Sequence, residues 1–253
     1  MEKKDLKIAV FDSGVGGISV LRELMALMPQ EQYIYFGDSA NAPYGSRTTE
    51  EVRVLTLNAA AKLYERGIKA LVVACNTATA AAITHLREEY PHLVVIGIEP
   101  ALKMATDRFP TGHVGIMATQ VTLREEKLDL LVERFPDAKV ERIPAPGLVE
   151  LVEQGKVDAP ETEALLRRIL APYIGQLDAI VLGCTHYPFV RDTVKKILGE
   201  NVKVLDGGEG TARQTRRCLA EKGWLRCGEG SIKMENSSGR PELLALGRKL
   251  LEG

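Results

Sequence analysis

At 253 residues the chain is one large domain or two small ones, long enough to bury well over half of its unfolded surface. A net charge of -1 gives no electrostatic footing for nucleic acid or an anionic membrane, and the 45% apolar share is ordinary for a globular protein. No stretch approaches the roughly 20 apolar residues that span a bilayer, and MEKKDLKIAV has no signal-peptide core, so a soluble, cytoplasmic protein is expected.

In chain order, short apolar runs alternate with amphipathic stretches. LKIAVF predicts a first strand that ends in DSGVGG, and ISVLRELMALM a helix with Ile18, Leu21, Met25 and Met28 at helical spacing. YIYF predicts a second strand, followed by the turn residues NAPYG at Asn41 to Gly45. Thr48 and Glu51 form a capping box for TEEVRVLTLNAAAKLYERG, with Gly67 as its stop. ALVVA and LVVIGI complete four strands in the first half. HVGIMA, KVERIPA, AIVLG and VKVL supply four in the second, with Pro160 and Pro188 at the first positions of two helices. GEGSIKMENSSGRP is the least regular stretch and reads as a surface excursion.

Strands taking turns with helices predict an α/β fold of mainly parallel, doubly wound sheets. The strand ends run DSG, GDS, CNT, IEP and then ATQVT, PAPG, CTH, DGG, with a cysteine closing the third strand of each set. This echo predicts two similar lobes from an old duplication. Residues 1–97 and 207–253 form the first lobe and 98–206 the second, with the active site in the cleft between them. Ligands of open α/β sheets bind beyond the carboxyl ends of strands, which is where Cys75 and Cys184 stand.

A chain of this length in a reducing compartment has no need of disulfides, and no two cysteines have metal-clip spacing. Cys218 and Cys227 read as packing or incidental thiols. Asp12, Ser13 and Gly14 form a glycine-rich turn. A dinucleotide site is disfavoured there because Ser19 takes the third glycine position, yet its N–H groups suit a carboxylate. Asn76, Thr77, Thr185 and His186 follow the two cysteines with groups suited to a small zwitterion. His186 stands two residues from Cys184 and can relay protons to it, whereas His85, His92 and His113 read as structural or solvated. Glu153, near a helix end in LVEQG, is a weaker candidate.

Two thiols on opposite walls of a cleft can take a proton from one face of a carbon and return one to the other. That inverts a stereocentre without a cofactor. A turnover of about 10 per second allows a barrier of roughly 16 kcal/mol. At about 1.4 kcal/mol per unit, the carbon acid can then lie about a dozen pKa units above the thiol. An amino-acid α-hydrogen is at or past that limit, so fixed hydrogen-bond donors in a dry site must stabilise the carbanion.

DSGVGG, GD-x-ANAPYG, ACNTAT and GCTHYP, in this order, resemble the glutamate racemases, cofactor-independent two-cysteine enzymes of the aspartate/glutamate racemase family. The resemblance covers essentially the whole chain. It implies interconversion of L- and D-glutamate, supplying D-glutamate for peptidoglycan, with neither cofactor nor metal, in a cytoplasmic homodimer. It implies that Cys75 and Cys184 are the acid/bases, assisted by Asp12, His186 and Glu153. Substrate contacts fall by the same resemblance on Asp12, Ser13, Pro43, Tyr44, Gly45, Asn76, Thr77, Thr119, Thr185 and His186. Three other readings are a two-thiol racemase of aspartate or a hydantoin, a cysteine amidase, and a solute-binding module. Inhibition of gyrase, reported for some family members, has no support in the charge pattern.

Overall fold

The computed structural model describes residues 2–98, 101–124 and 126–252. Its contacts divide the chain into two compact units, residues 1–99 with 208–253, and residues 100–207. The IEP strand end, read at the lobe boundary, falls partly on Glu99 and Pro100, which lie outside the described residues.

In the first unit the chain runs β1 (Lys7–Asp12), α1 (Ile18–Leu27), β2 (Gln32–Gly37), α2 (Thr49–Tyr64), β3 (Ile68–Val73), α3 (Asn76–Glu89) and β4 (Val94–Gly97). The second contains α4 (Leu102–Arg108), β5 (His113–Ala118), α5 (Gln120–Leu123), α6 (Glu126–Val132), β6 (Lys139–Pro144), α7 (Leu148–Glu153), α8 (Pro160–Leu170), β7 (Ala179–Leu182), α9 (Arg191–Leu198) and β8 (Lys203–Asp206). The chain then rejoins the first unit through α10 (Gly208–Glu221), β9 (Ser231–Asn236) and α11 (Pro241–Glu252).

Every strand pairing is parallel, in the orders β4-β3-β1-β2-β9 and β6-β5-β7-β8. Numbered within its own unit, each sheet runs fourth, third, first, second, and the first unit adds β9 at its edge. Both faces of each sheet are covered, which is why the central strands are continuous apolar runs. Ala9, Phe11, Leu71 and Val73 pack with α2 and α3, while α1 packs with α10 and α11. In the second unit Met117, Ile180 and Leu182 face α7 to α9, and Val114, Ile116 and Val181 face α4 and the α5–α6 segment.

Local signals explain several boundaries. Thr48 and Glu51 make a reciprocal capping box on α2, and Gly67, at φ 72°, closes the turn after it by donating to the Tyr64 carbonyl. Pro160 opens α8. Pro188 does not open an α-helix as expected. It sits inside a 3-10 turn, Tyr187–Val190, that leads into α9. The stretch read as a surface excursion also differs, because Ser231–Asn236 is a full strand paired residue by residue with β2. Its alternation of charged and apolar residues suits an edge with one half-exposed face, and its partner stands some two hundred positions away in sequence. No helix among the described residues is long and apolar enough to cross a membrane.

Candidate active site

Strand order creates a switch point in each sheet, where the connections leaving neighbouring strands turn in opposite directions. In the first unit it lies between β1 and β3, and in the second between β5 and β7. Asp12 ends β1 and Cys75 follows β3. Thr119 follows β5 and Cys184 follows β7. Each thiol therefore stands at the crevice position of its own sheet.

In the first unit Asp12 is buried, and its Oδ1 accepts the Gly14 N–H at 2.8 Å, closing the turn out of β1. Gly17, next before α1, brings the start of that helix down onto this carboxylate. A Cβ at 17 would stand 2.6 Å from that of Asp12. Gly17 of DSGVGG thus permits close packing of helix on strand. Cys75, 6% exposed, is the N-cap of α3, and its Sγ accepts the Ala78 N–H at 3.5 Å. Its thiol donates to Ser13 Oγ at 3.6 Å, so the ends of β1 and β3 meet at the sulfur. The positive end of the α3 dipole favours negative charge there.

Asn76 and Thr77, the first residues of α3, are buried, and Asn76 Oδ1 has no hydrogen-bond partner. A buried, unanswered carbonyl beside the thiol is a ready acceptor for a ligand N–H. Tyr44 is buried in the same core cluster as Cys75 and donates its phenol hydrogen to Asp38 Oδ2 at 2.7 Å. Burial first, then the Asp38 carboxylate, raises the phenol well above the ordinary tyrosine range. Pro43 is exposed, after a cis peptide bond from Ala42, and Gly45 is half-buried. Asp38 was not singled out in the sequence, although it stands in the GD-x-ANAPYG motif. Its two oxygens also accept from the Asn41 amide nitrogen, at 3.1 and 3.0 Å, and so organise the NAPYG turn from inside.

The second unit surrounds its thiol differently. Cys184, 7% exposed, leads into a turn and then the 3-10 segment, rather than capping a helix directly. His186 takes the part that a helix terminus plays at Cys75. Its Nδ1 lies 3.7 Å from Cys184 Sγ, and its Nε2 lies 2.6 Å from Glu153 Oε1. Burial by itself would lower the His186 pKa, but its hydrogen bonds to Cys184 and Glu153 and their negative charges outweigh it. The imidazole is held well above its usual value. One ring nitrogen thus faces the thiol and the other the carboxylate.

Glu153 is the last residue of α7, whose N-cap Gly147 takes a left-handed φ of 86°. Thr185 is buried beside His186. Thr119 caps α5, accepting the Thr122 N–H at 3.3 Å. Tyr187 is buried, with its hydroxyl 3.4 Å from the Ala145 carbonyl. Away from these strand ends, His85 is exposed on α3, and His113 is the first residue of β5. Cys218 is half-buried on α10 and Cys227 is exposed. Among the described residues, no group of three or more His, Cys, Asp or Glu is arranged to hold a metal ion.

Comparison with known proteins adds an independent line. Residues 18–215 match the family model described as Asp/Glu/Hydantoin racemase. A glutamate racemase of Clostridium botulinum is 46% identical over 256 residues, covering 100% of this chain and 99% of the relative. Among solved structures, glutamate racemase from Thermus thermophilus in complex with beta-chloro-D-alanine superposes with a TM-score of 0.85 at 36% identity, covering 98% of this chain and 94% of that one. Escherichia coli glutamate racemase, in complex with L-glutamate and the activator UDP-MurNAc-ala, gives 0.83 at 29% identity, over 97% and 92%.

Proposed function

Because the chain belongs to the Asp/Glu/Hydantoin racemase family and is an amino-acid racemase by that descent, we propose that its substrate is glutamate and that Cys75 and Cys184 are its two acid/bases. The observation that carries the choice of substrate is full-length identity of 46% to a relative named glutamate racemase, supported by the L-glutamate complex of the Escherichia coli relative.

One thiolate removes the α-hydrogen of glutamate as a proton, and the opposite thiol delivers its own proton to the other face of the same carbon. One C–H bond breaks and one forms, while the two sulfurs exchange protonation states. The reaction needs no oxidant and no cofactor. This requires the ends of β3 and β7 to address a single bound substrate. Cys75 is served by the α3 terminus and Ser13, and Cys184 by the His186 imidazole, which Glu153 holds in place. Asn76 Oδ1 accepts from the substrate ammonium, with Asp12 as the nearby negative charge. Ser13, Pro43, Tyr44, Gly45 and Thr77 from one unit, and Thr119, Thr185 and His186 from the other, contact the rest of the substrate. Loss of carbanion-stabilising donors of this kind costs about two to three orders of magnitude in rate in comparable sites.

The same reading places the enzyme in the cytoplasm, as a homodimer, making D-glutamate for peptidoglycan. Chiral chromatography after incubation with L-glutamate, L-aspartate or a hydantoin tests the substrate. Racemisation of glutamate well ahead of the others is expected, and preference for aspartate or the hydantoin would overturn it. Pyridoxal absorbance in the purified protein, or activity lost on chelation, would overturn cofactor independence.

One observation favours a second reading. Glu153, His186 and Cys184 stand in line as a carboxylate, a base and a nucleophile do in cysteine acyl-transfer enzymes. An amidase built on them leaves Cys75 without a role. Release of ammonia from glutamine without change of configuration would mark that chemistry.

A further inference from the structure

The edge strand of the first unit ends where the loop carrying Tyr44 begins. Asn236, the last residue of β9, donates from Nδ2 to Ser39 Oγ at 2.7 Å. Ser237 follows, and its Oγ accepts the Ala40 N–H at 3.0 Å while its own N–H donates to the Gly37 carbonyl. Asn236 is itself locked, since its Oδ1 accepts the Ser238 N–H and hydroxyl at 2.9 and 2.5 Å. The segment held in this way, Asp38 to Asn41, carries the carboxylate that takes the Tyr44 phenol hydrogen and the Asn41 amide. Arg47 closes the far side by donating to the Asn41 carbonyl at 2.8 Å. Gly37 brings the same point close to the turn after β1. A Cβ there would stand 2.5 Å from the Gly14 carbonyl oxygen and 3.3 Å from Asn236 Nδ2.

Taken together, these contacts run from a residue near the end of the sequence, through Ser39 and Asp38, to the phenol that packs in the core beside Cys75. We propose that Asn236, supported by Ser237, is a positioning residue for the glutamate-binding loop, and that β9 serves as the buttress that fixes where Tyr44 stands. The proposal rests on the glutamate racemase reading only for its consequence in turnover. The mechanical link itself stands on the geometry of one unit. Asn236 touches no reacting atom, and it acts through Ser39, Asp38 and Tyr44.

Four variants test it: Asn236→Ala, Ser39→Ala, their combination, and Asn236→Asp as the conservative form. An aspartate keeps an oxygen that can accept the Ser39 hydroxyl hydrogen, so it should recover most of the loss. Asn236→Ala should raise KM for both enantiomers about tenfold, through loss of the partly buried bond to Ser39. Its kcat should stay within about twofold. The double variant should be no worse than the worse single one, because both remove the same contact. Unchanged KM in Asn236→Ala, or fully additive effects, would overturn the proposal. Equal losses in kcat and KM that track a fall in Tm would indicate a merely structural residue and would also overturn it.

A readout independent of turnover separates this proposal from the choice of substrate. In fluorotyrosine-labelled protein, the Tyr44 resonance, assigned by Tyr44→Phe, should shift in Asn236→Ala and return in Asn236→Asp. A parent protein inert toward glutamate would defeat the substrate reading, whereas a Tyr44 resonance that ignores Asn236 would defeat the buttress.

Discussion

The two thiols sit at corresponding strand ends, yet their neighbours differ, and separate consequences follow for each. Cys75→Ser and Cys184→Ser should each abolish racemisation, because a hydroxyl is far too weak an acid/base at neutral pH to replace a thiol. Each variant retains one thiol and can still exchange the α-hydrogen of the enantiomer that this sulfur faces. Proton NMR in deuterated water reads both properties, and an undiminished racemisation rate in either variant would remove the two-base scheme. At Cys184 the neighbour is His186, and Glu153 stands behind it. Removing its charge by Glu153→Gln takes away one of the two groups that hold the His186 pKa up and leaves Cys184 alone to oppose burial, so the imidazole should titrate at lower pH than in the parent. Nitrogen-resolved NMR of His186 would show this directly, and an unchanged titration would mean that Glu153 does not hold the proton. The sign also applies to folding. A histidine whose pKa is raised in the folded state adds stability that is complete below its unfolded pKa, and that stability fades as pH rises through the folded value. Unfolding measured from acid to alkaline pH should show this fading in the parent and less of it in Glu153→Gln.

At the scale of elements, the central strands were legible because parallel strands covered on both faces are written as apolar runs. Less legible was β3, whose expected start at Ala70 omitted Lys69. A lysine is an improbable resident of a buried strand. The structure begins β3 at Ile68 and buries Lys69 completely, paired with Glu31 at 2.5 Å and donating to the carbonyls of Lys4 and Trp224 at 2.8 and 2.9 Å. Glu31 Oε1 also accepts the Arg226 N–H at 2.9 Å. The pair therefore ties the start of β3 to the N-terminal segment and to the link between α10 and β9. Breaking it from one side strands a buried charge, and Glu31→Gln or Lys69→Ala should cost about 3–5 kcal/mol in urea unfolding. A loss below about 1 kcal/mol, the size usual for an exposed pair, would show that the pair does not pin this end of the sheet. The strand β9, the Lys69 pair and the approach of Glu153 to His186 escaped sequence reading for one reason. Each depends on a partner that only tertiary folding supplies, and the short alternation in β9 does not by itself name that partner.

For the whole molecule, the echo of strand ends read from the sequence is matched by identical strand order in the two sheets, with a thiol at the switch point of each. Asp12, Ser13, Cys75 and Cys184 were legible as candidates because strand ends are where such folds present chemistry, whereas Thr119 entered only through the family resemblance. Asp38 was passed over because its carboxylate faces inward, to Tyr44 and Asn41, rather than toward a ligand. Continuity of the first unit depends on the last stretch of chain. A protein ending at Gly207 would lose α10 from α1 and β9 from β2, and should not show cooperative unfolding. If that truncated chain melted at the parent's midpoint, the last segment would not belong to the unit's core.

The claim that two sulfurs work from opposite faces is tested most directly by following L-glutamate in deuterated water at early times. The D-glutamate formed should carry solvent deuterium at its α-carbon, while the remaining L-glutamate keeps its protium, because the base that removes the hydrogen is not the acid that replaces it. D-glutamate retaining the substrate's own hydrogen would mean that a single base serves both faces. No change of configuration at all would contradict the account entirely.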